Sequence, residues 1–370
     1  NKNLSFLYTF TFVFLVYSFN RYSGYGNDAI AHIFFIYLFF LFLNFKFDSS
    51  INHDEFLKTL LISIFLVGLK LFMILTLAIP LILLFKFKPK LKLFKSISTY
   101  ICLLFIISFS LKSILTSGCV FYPLEITCIK SMKIFNKNQL VNTSEMSEAW
   151  SKGWPDQEKA AKDYSTYNNN FVWIETWKDN HFKFIKKKIS PYIIFLILIL
   201  FYFFIIREKV LHKEKSFNEF SFKDLFIILT FLIFCNLIWF FKFPLYRFGI
   251  SFLYCLILIL FVIFAKDIIK FVPVKKLKNF SILLILVSLT GFITKNSLRI
   301  IKSNTFGSNE IWPQIIPLEN IEKVKIDNNG YYYFSSSSQC MYSLSPCTYY
   351  RPKNLMFSTF LNYKIFWIKS

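Results

Sequence analysis

Apolar residues gather into runs separated by short basic segments along most of the chain. The runs fall at residues 4–19, 29–45, 57–85, 97–111, 189–206, 225–241, 248–265 and 280–294. Few polar residues interrupt them, so they lack the polar face of a helix that covers a soluble core. Each reads as a membrane span. Several are shorter than the about 20 residues of an upright crossing, and the aromatic and Lys residues at their ends extend them to the interface. The run at 57–85 is too long for one ordinary span and short for two, with Lys70 near its middle. Counting it as two puts the Arg21–Asp28 loop on the exterior side, and that count is preferred. The pattern predicts an all-α polytopic membrane protein of about 8–9 transmembrane helices.

Two polar stretches stand apart from this alternation. Residues 112–188 form the longest, with Cys119, Cys128 and four of the seven tryptophans, Trp150, Trp154, Trp173 and Trp177. Within the second, residues 295–370, Ile321, Val324 and Ile326 lead into the turn Asp327-Asn328-Asn329-Gly330 and then into Tyr331 to Phe334, a predicted β-hairpin. The chain therefore divides into N-terminal spans (1–111), a long exterior Cys/Trp-rich loop (112–188), C-terminal spans (189–294) and a small exterior disulfide-containing β domain (295–370).

Charge gives the orientation. The loops at 86–95, 207–223 and 266–278 together hold 15 basic and 4 acidic residues, which marks them as cytoplasmic by the positive-inside rule. Alternation then places 112–188, 242–249 and the tail outside. Cysteine positions agree independently. Cys102, Cys235 and Cys255 lie within apolar runs, while Cys119 with Cys128 and Cys340 with Cys347 form close pairs in segments assigned to an oxidising exterior, where disulfides form. The localisation expected is a bacterial inner (cytoplasmic) membrane. The chain starts at Asn1, its first run begins at Leu4, and no charged n-region precedes it, so a missing N-terminal segment is expected.

A formal charge of +22 raises nucleic acid as a partner, but the basic residues are 38 Lys against 5 Arg and sit in short loops between spans. A nucleic-acid binder clusters them on a soluble face with stacking aromatics, so nucleic acid is set aside. No CxxC, no His/Cys set at zinc spacing, no Gly-rich phosphate loop and no Gly-x-Ser-x-Gly elbow occurs. No cofactor or metal is expected.

Candidate chemistry lies at a few polar residues beside spans. In RYSGYGNDAIAH, residues 21–32, an Arg and a carboxylate flank two glycines: Asp28 is the candidate catalytic group and Arg21 a substrate-binding one. The plainer reading makes Asp28 a helix N-cap and His32 a packed, hydrogen-bonded residue. Lys70 needs a carboxylate or a polar cavity, because a central Lys costs about 2.5–3.5 kcal/mol in a span; a break between two short spans, or snorkelling, is the alternative. In FKFPLYRFG, residues 241–249, Pro244 ends one helix, Gly249 permits a tight return, and Arg247 offers a fork that grips phosphate where Lys gives a point charge.

These residues, with Ser117-Gly118-Cys119, Tyr122-Pro123, Thr127-Cys128, Ala149-Trp150, Trp173, Trp177, Trp312-Pro313, Gln339-Cys340 and Pro346-Cys347-Thr348, resemble an uncharacterised family of bacterial multi-pass membrane proteins associated with cell-surface polysaccharide genes. That family in turn looks like distant GT-C glycosyltransferases. Here Asn27 stands where the family usually shows Thr, and no Trp follows Cys128 closely. The resemblance implies an integral-membrane glycosyltransferase-like protein using a polyprenyl-phosphate sugar on the exterior face. A lipid-linked glycan flippase and a non-catalytic assembly partner are the alternatives. Arg21, Asp28, Lys70 and Arg247 are expected to line one cavity at the membrane surface, beneath the 112–188 loop.

Overall fold

A computed structural model describes residues 2–19, 28–47, 53–87, 97–132, 134–154, 163–206, 222–269, 271–302, 321–326, 330–335, 340, 346–348, 351, 355–360 and 363–368. Among them, five helices are long and apolar enough to cross a bilayer, and shorter apolar helices accompany them. The chain is a membrane protein with a small C-terminal region of β-structure. It divides into two compact units: residues 1–109 with 142–296, and residues 110–141 with 297–370. The polar stretch at 112–188 is thus shared between the units.

In the first unit, α1 (Lys2–Ser18) and α2 (Asp28–Phe47) run antiparallel. Tyr8 stacks on Phe40 near one end, and Phe19 meets His32 near the other. Helix α3 (His53–Leu69) returns along α2 through Phe65 on Phe34 and Lys58 over the Tyr37 ring. It stops at Lys70, whose backbone is extended at φ −156° and ψ 119°. A 3-10 segment (Leu71–Leu77) and α4 (Ala78–Phe87) follow.

Ser63 and Thr76 exchange side-chain to carbonyl hydrogen bonds of 3.4 and 3.5 Å. These residues sit almost symmetrically about Lys70, so the chain must reverse there. The long apolar run is a helical hairpin, and Lys70 lies at its tip rather than inside one helix. Helix α5 (Ile97–Ser117) lies beside α3, with Phe105 and Phe109 over Gly68.

A second group closes the unit. Helix α6 (Lys137–Lys152) carries Ala149, Trp154 lies two residues past its end, and α7 (Tyr164–Asn169) and α8 (Trp173–Trp177) carry Tyr167 and Trp173; the four form a small core against Phe240. Helix α8 continues through a π turn into α9 (Lys183–Ile206); α10 (Phe222–Lys242), α11 (Tyr246–Ile269) and α12 (Val274–Lys302) follow. Helix α11 is the most enclosed. Its Tyr254 stacks on Phe14 at 3.8 Å between ring centres and meets the Thr11 hydroxyl at 2.9 Å. Helix α12 is the reverse, with Ile282, Leu283, Leu286 and Val287 exposed, a surface suited to hydrocarbon and costly in water.

In the second unit, α5 ends at Gly118, whose φ of 74° is easy for glycine and strained for other residues. A tight reversal follows, closed by Ile129 N–H to the Gly118 carbonyl at 2.8 Å and Val120 N–H to the Thr127 carbonyl at 3.0 Å. This pairing sets Cys119 opposite Cys128, and the two form a disulfide. Strands β1 (Ile321–Lys325) and β2 (Tyr331–Ser335) pair antiparallel, from Ile321 opposite Ser335 to Lys325 opposite Tyr331. This is the expected hairpin, though Asp327, Asn328 and Asn329 of its turn lie outside the described residues. Strand β3 (Cys347–Thr348) adds in parallel to β2, held by the Cys340–Cys347 disulfide. Strands β4 (Leu355–Phe360) and β5 (Tyr363–Ile368) form a separate antiparallel pair. Gly330 packs so closely on Phe357 that an added Cβ would sit 2.8 Å from its ring.

Candidate functional site

Three of the four candidate site residues meet. Asp28 opens α2, Lys70 tips the α3–α4 hairpin, and Arg247 lies in the first turn of α11. Lys70 Nζ donates to Asp28 Oδ1, and Arg247 Nε lies 3.7 Å from Asp28 Oδ2. The two oxygens of one carboxylate therefore face two cations. Arg21, the fourth candidate, lies outside the described residues, as do Tyr25, Gly26 and Asn27.

Phe248 completes the cluster. The Lys70 ammonium lies 3.7 Å from its ring centre and the Arg247 guanidinium 5.3 Å, so the quadrupole of the ring's face supports both charges. The formal charge of Asp28, Lys70 and Arg247 together is +1. Lys70 and Asp28 are largely enclosed, at 17% and 15% side-chain exposure, whereas Arg247 keeps 52%. The guanidinium is the open member of the set. Because all three residues stand at the ends of helices rather than mid-span, the charge sits at the mouth of the helical unit.

What fixes Arg247 is the turn before it. Helix α10 stops at Lys242 ahead of Pro244, and a helix end leaves carbonyls without partners. Side chains supply donors to this end and to the turn after it. Ser151 Oγ reaches the Lys242 carbonyl at 3.3 Å, Trp177 Nε1 the Pro244 carbonyl at 2.7 Å, and Trp239 Nε1 the Leu245 carbonyl at 2.9 Å.

His32, one helical turn past Asp28, reaches the Arg247 carbonyl from Nε2 at 2.7 Å and meets Ser251 Oγ through Nδ1 at 2.8 Å. A carbonyl only accepts, so the neutral ring carries its proton on Nε2 and takes the serine hydroxyl on Nδ1. His32 is fully buried, which makes it a packing and positioning residue, the plainer of its two readings. Gly249 lets the turn close: a Cβ there would fall 2.3 Å from the Trp239 ring.

The tryptophans of the polar stretch thus serve the turn. Trp173 and Trp177 pack edge-on against Phe240 of α10. Glu148 of α6 bridges Lys152 at 2.6 Å and Lys242 at 3.1 Å. Lys152 is 1% exposed, and burial pushes its ammonium below the ordinary lysine range while Glu148 pulls it back up. Trp150 does not join them and is exposed.

Ser151, Trp239 and Ser251 are the participants that sequence reasoning did not single out, and Phe248 entered it only within the Arg247-Phe248-Gly249 motif. Trp239 and Ser151 carried one usable signal, a polar donor close to a helix end. Among the described residues no group of His, Cys, Asp and Glu could hold a metal ion.

No curated protein and no solved structure matches the chain. A family model described as Domain of unknown function (DUF8201) matches residues 1–254, a stretch that includes Asp28, Lys70, Arg247 and all the residues that clamp the turn. By that match the chain belongs to the DUF8201 family.

Proposed function

We propose that the Asp28, Lys70 and Arg247 cluster receives the phosphate of a membrane lipid, and that the chain is an integral-membrane glycosyltransferase-like protein of cell-surface polysaccharide assembly. Its donor is a polyprenyl-phosphate sugar, engaged at the exterior face of a bacterial cytoplasmic membrane. The observation that carries this reading is a carboxylate set against two cations at the helix ends, with Arg247 half exposed. A lipid phosphate arriving sideways from the bilayer needs cations at headgroup depth, and a guanidinium binds it bidentately.

Asp28 has two tasks in this scheme. It holds Lys70 and Arg247 in place, and it orients or deprotonates an acceptor hydroxyl once the phosphate has drawn Arg247 outward. The helices then make nine crossings, with α3 and α4 counted separately. A flippase would favour a broken helix at the bilayer midplane; the break at Lys70 is a hairpin tip level with Asp28, which supports the surface site instead.

The test is binding of a polyprenyl phosphate and of the matching uncharged polyprenol to the full chain in nanodiscs, read by native mass spectrometry. The phosphate should be retained at least about tenfold better, and Arg247→Lys should remove most of that preference because the fork is lost. Equal retention of the alcohol would overturn the proposal.

A further inference from the structure

The second unit holds a cavity of about 550 Å³ between the end of α5, the disulfide-closed loop after it, the start of α6 and the two small sheets. Its volume falls in the range of small-molecule sites, about 300–1,000 Å³. Tyr122, Phe135, Tyr332 and Phe366 supply aromatic surface, and the amides of Asn136 and Gln139 stand among serine and threonine hydroxyls. None of the lining side chains is charged, in a chain where 17% of residues are. The walls are fastened. Cys119–Cys128 closes the loop that carries Tyr122, Cys340–Cys347 anchors β3, and Tyr333 N–H bonds the Pro346 carbonyl at 2.8 Å.

We infer that this cavity binds a neutral saccharide. A charged ligand would lose its hydration with no countercharge to replace it, which argues against phosphates, nucleotides and uronic acids. Thr116 and Ser117 already donate to the Lys112 and Ser113 carbonyls at 2.9 and 2.7 Å, and Asn136 Oδ1 accepts from the Gln139 N–H, yet each hydroxyl and amide keeps further hydrogen-bonding capacity that a wholly apolar ligand would cover without using. A sugar ring satisfies both demands, since its C–H face packs on aromatic rings while its hydroxyl rim pairs with amides and hydroxyls. The inference stands on this cavity and not on the Asp28 cluster. The sugar is either a free glycan or the headgroup of a neutral glycolipid.

The experiment uses the full chain in nanodiscs, because glycoside detergents carry a competing sugar. Neutral hexose and N-acetylhexosamine trisaccharides are compared with uronic-acid trisaccharides by saturation-transfer NMR. At least one neutral sugar should bind, and its charged counterpart should bind at least about tenfold more weakly. Tyr122→Ala removes a ring and Gln139→Ala a hydrogen-bonding amide at an exposed position; each should weaken binding about tenfold with the thermal transition retained.

A neutral diglycosyl diacylglycerol placed in the disc separates the sources. Displacement of the free sugar by it identifies a lipid headgroup, and undisturbed binding identifies a free glycan. Absence of binding by every neutral sugar to folded, disulfide-intact protein would overturn the inference. So would equal binding of the acidic counterparts, or binding unchanged in both variants.

Discussion

Asp28 is the residue on which the candidate site's polar chemistry turns, because it carries negative charge to two cations that share the Phe248 ring. Losing one partner of an enclosed pair is worse than losing both, since the survivor keeps its charge without compensation; breaking such a pair costs on the order of 3–5 kcal/mol. With 17% and 15% of the two side chains still exposed, the cost here should fall at or below the lower end. Asp28→Asn should therefore lower the thermal midpoint of the purified protein. Adding Lys70→Met should recover most of the loss, which differential scanning fluorimetry in nanodiscs would measure. A double variant no more stable than Asp28→Asn would show that the pair carries no coupling. Asp28, Lys70 and Arg247 were legible in the sequence because each breaks an otherwise apolar neighbourhood. Phe248 was legible only as part of the Arg247-Phe248-Gly249 motif, since one phenylalanine among fifty carries no signal of its own.

At the scale of elements, the hydrophobic runs foretold most helices, and the preferred division of 57–85 into two is the one the helices make. The stretch at 57–85 looked like one overlong span or two short ones because hydropathy records burial and not direction. What reverses it is Lys70, whose extended backbone ends α3 and whose ammonium is anchored to Asp28. The 112–188 stretch read as one polar loop, yet its second half folds onto the helices through Trp154, Tyr167 and Trp173. Tryptophans spaced along a polar segment do not reveal whether they pack on one another or on a distant helix end. The β-hairpin was legible, because alternating residues around an Asn-Asn-Gly turn prescribe a pairing, and β1 and β2 make it. The cysteine pairs were legible for the same local reason. Of the seven cysteines, the structure joins four and leaves Cys102, Cys235 and Cys255 as buried thiols. Alkylation in denaturant without reductant should modify these three alone, and alkylation after reduction all seven, as counted by intact mass. Loss of Cys119–Cys128 by Cys128→Ser should cost about 2–3 kcal/mol in the chain-entropy account.

For the whole molecule, the proposed sidedness is argued by joining contacts to charge. Trp177 bonds the Pro244 carbonyl, His32 bonds the Arg247 carbonyl, and Lys70 pairs with Asp28. The start of α2, the α3–α4 hairpin tip, the α8–α9 segment and the α10–α11 turn therefore share one end of the first unit. Helices α4, α9 and α11 leave that end, and their last residues Phe87, Ile206 and Ile269 stand at the other. The sequence segments that follow them belong to the three loops that together carry 15 basic and 4 acidic residues, the asymmetry that retains a loop in the cytoplasm. The proposed orientation thus rests on two independent facts, a contact pattern indifferent to charge and a charge bias indifferent to contacts. Lys90→Cys, Ser216→Cys and Asn169→Cys, each placed singly in a chain whose three buried thiols are replaced by Ala, test it. Only Asn169→Cys should react with a membrane-impermeant maleimide added to intact cells, and the other two should react after permeabilisation. Labelling of Lys90→Cys and Ser216→Cys from outside would invert the chain. The Asp28 cluster would then face the cytoplasm, where the cysteine pairs would meet a reducing compartment and a polyprenyl-phosphate donor would have to be engaged from the inner leaflet.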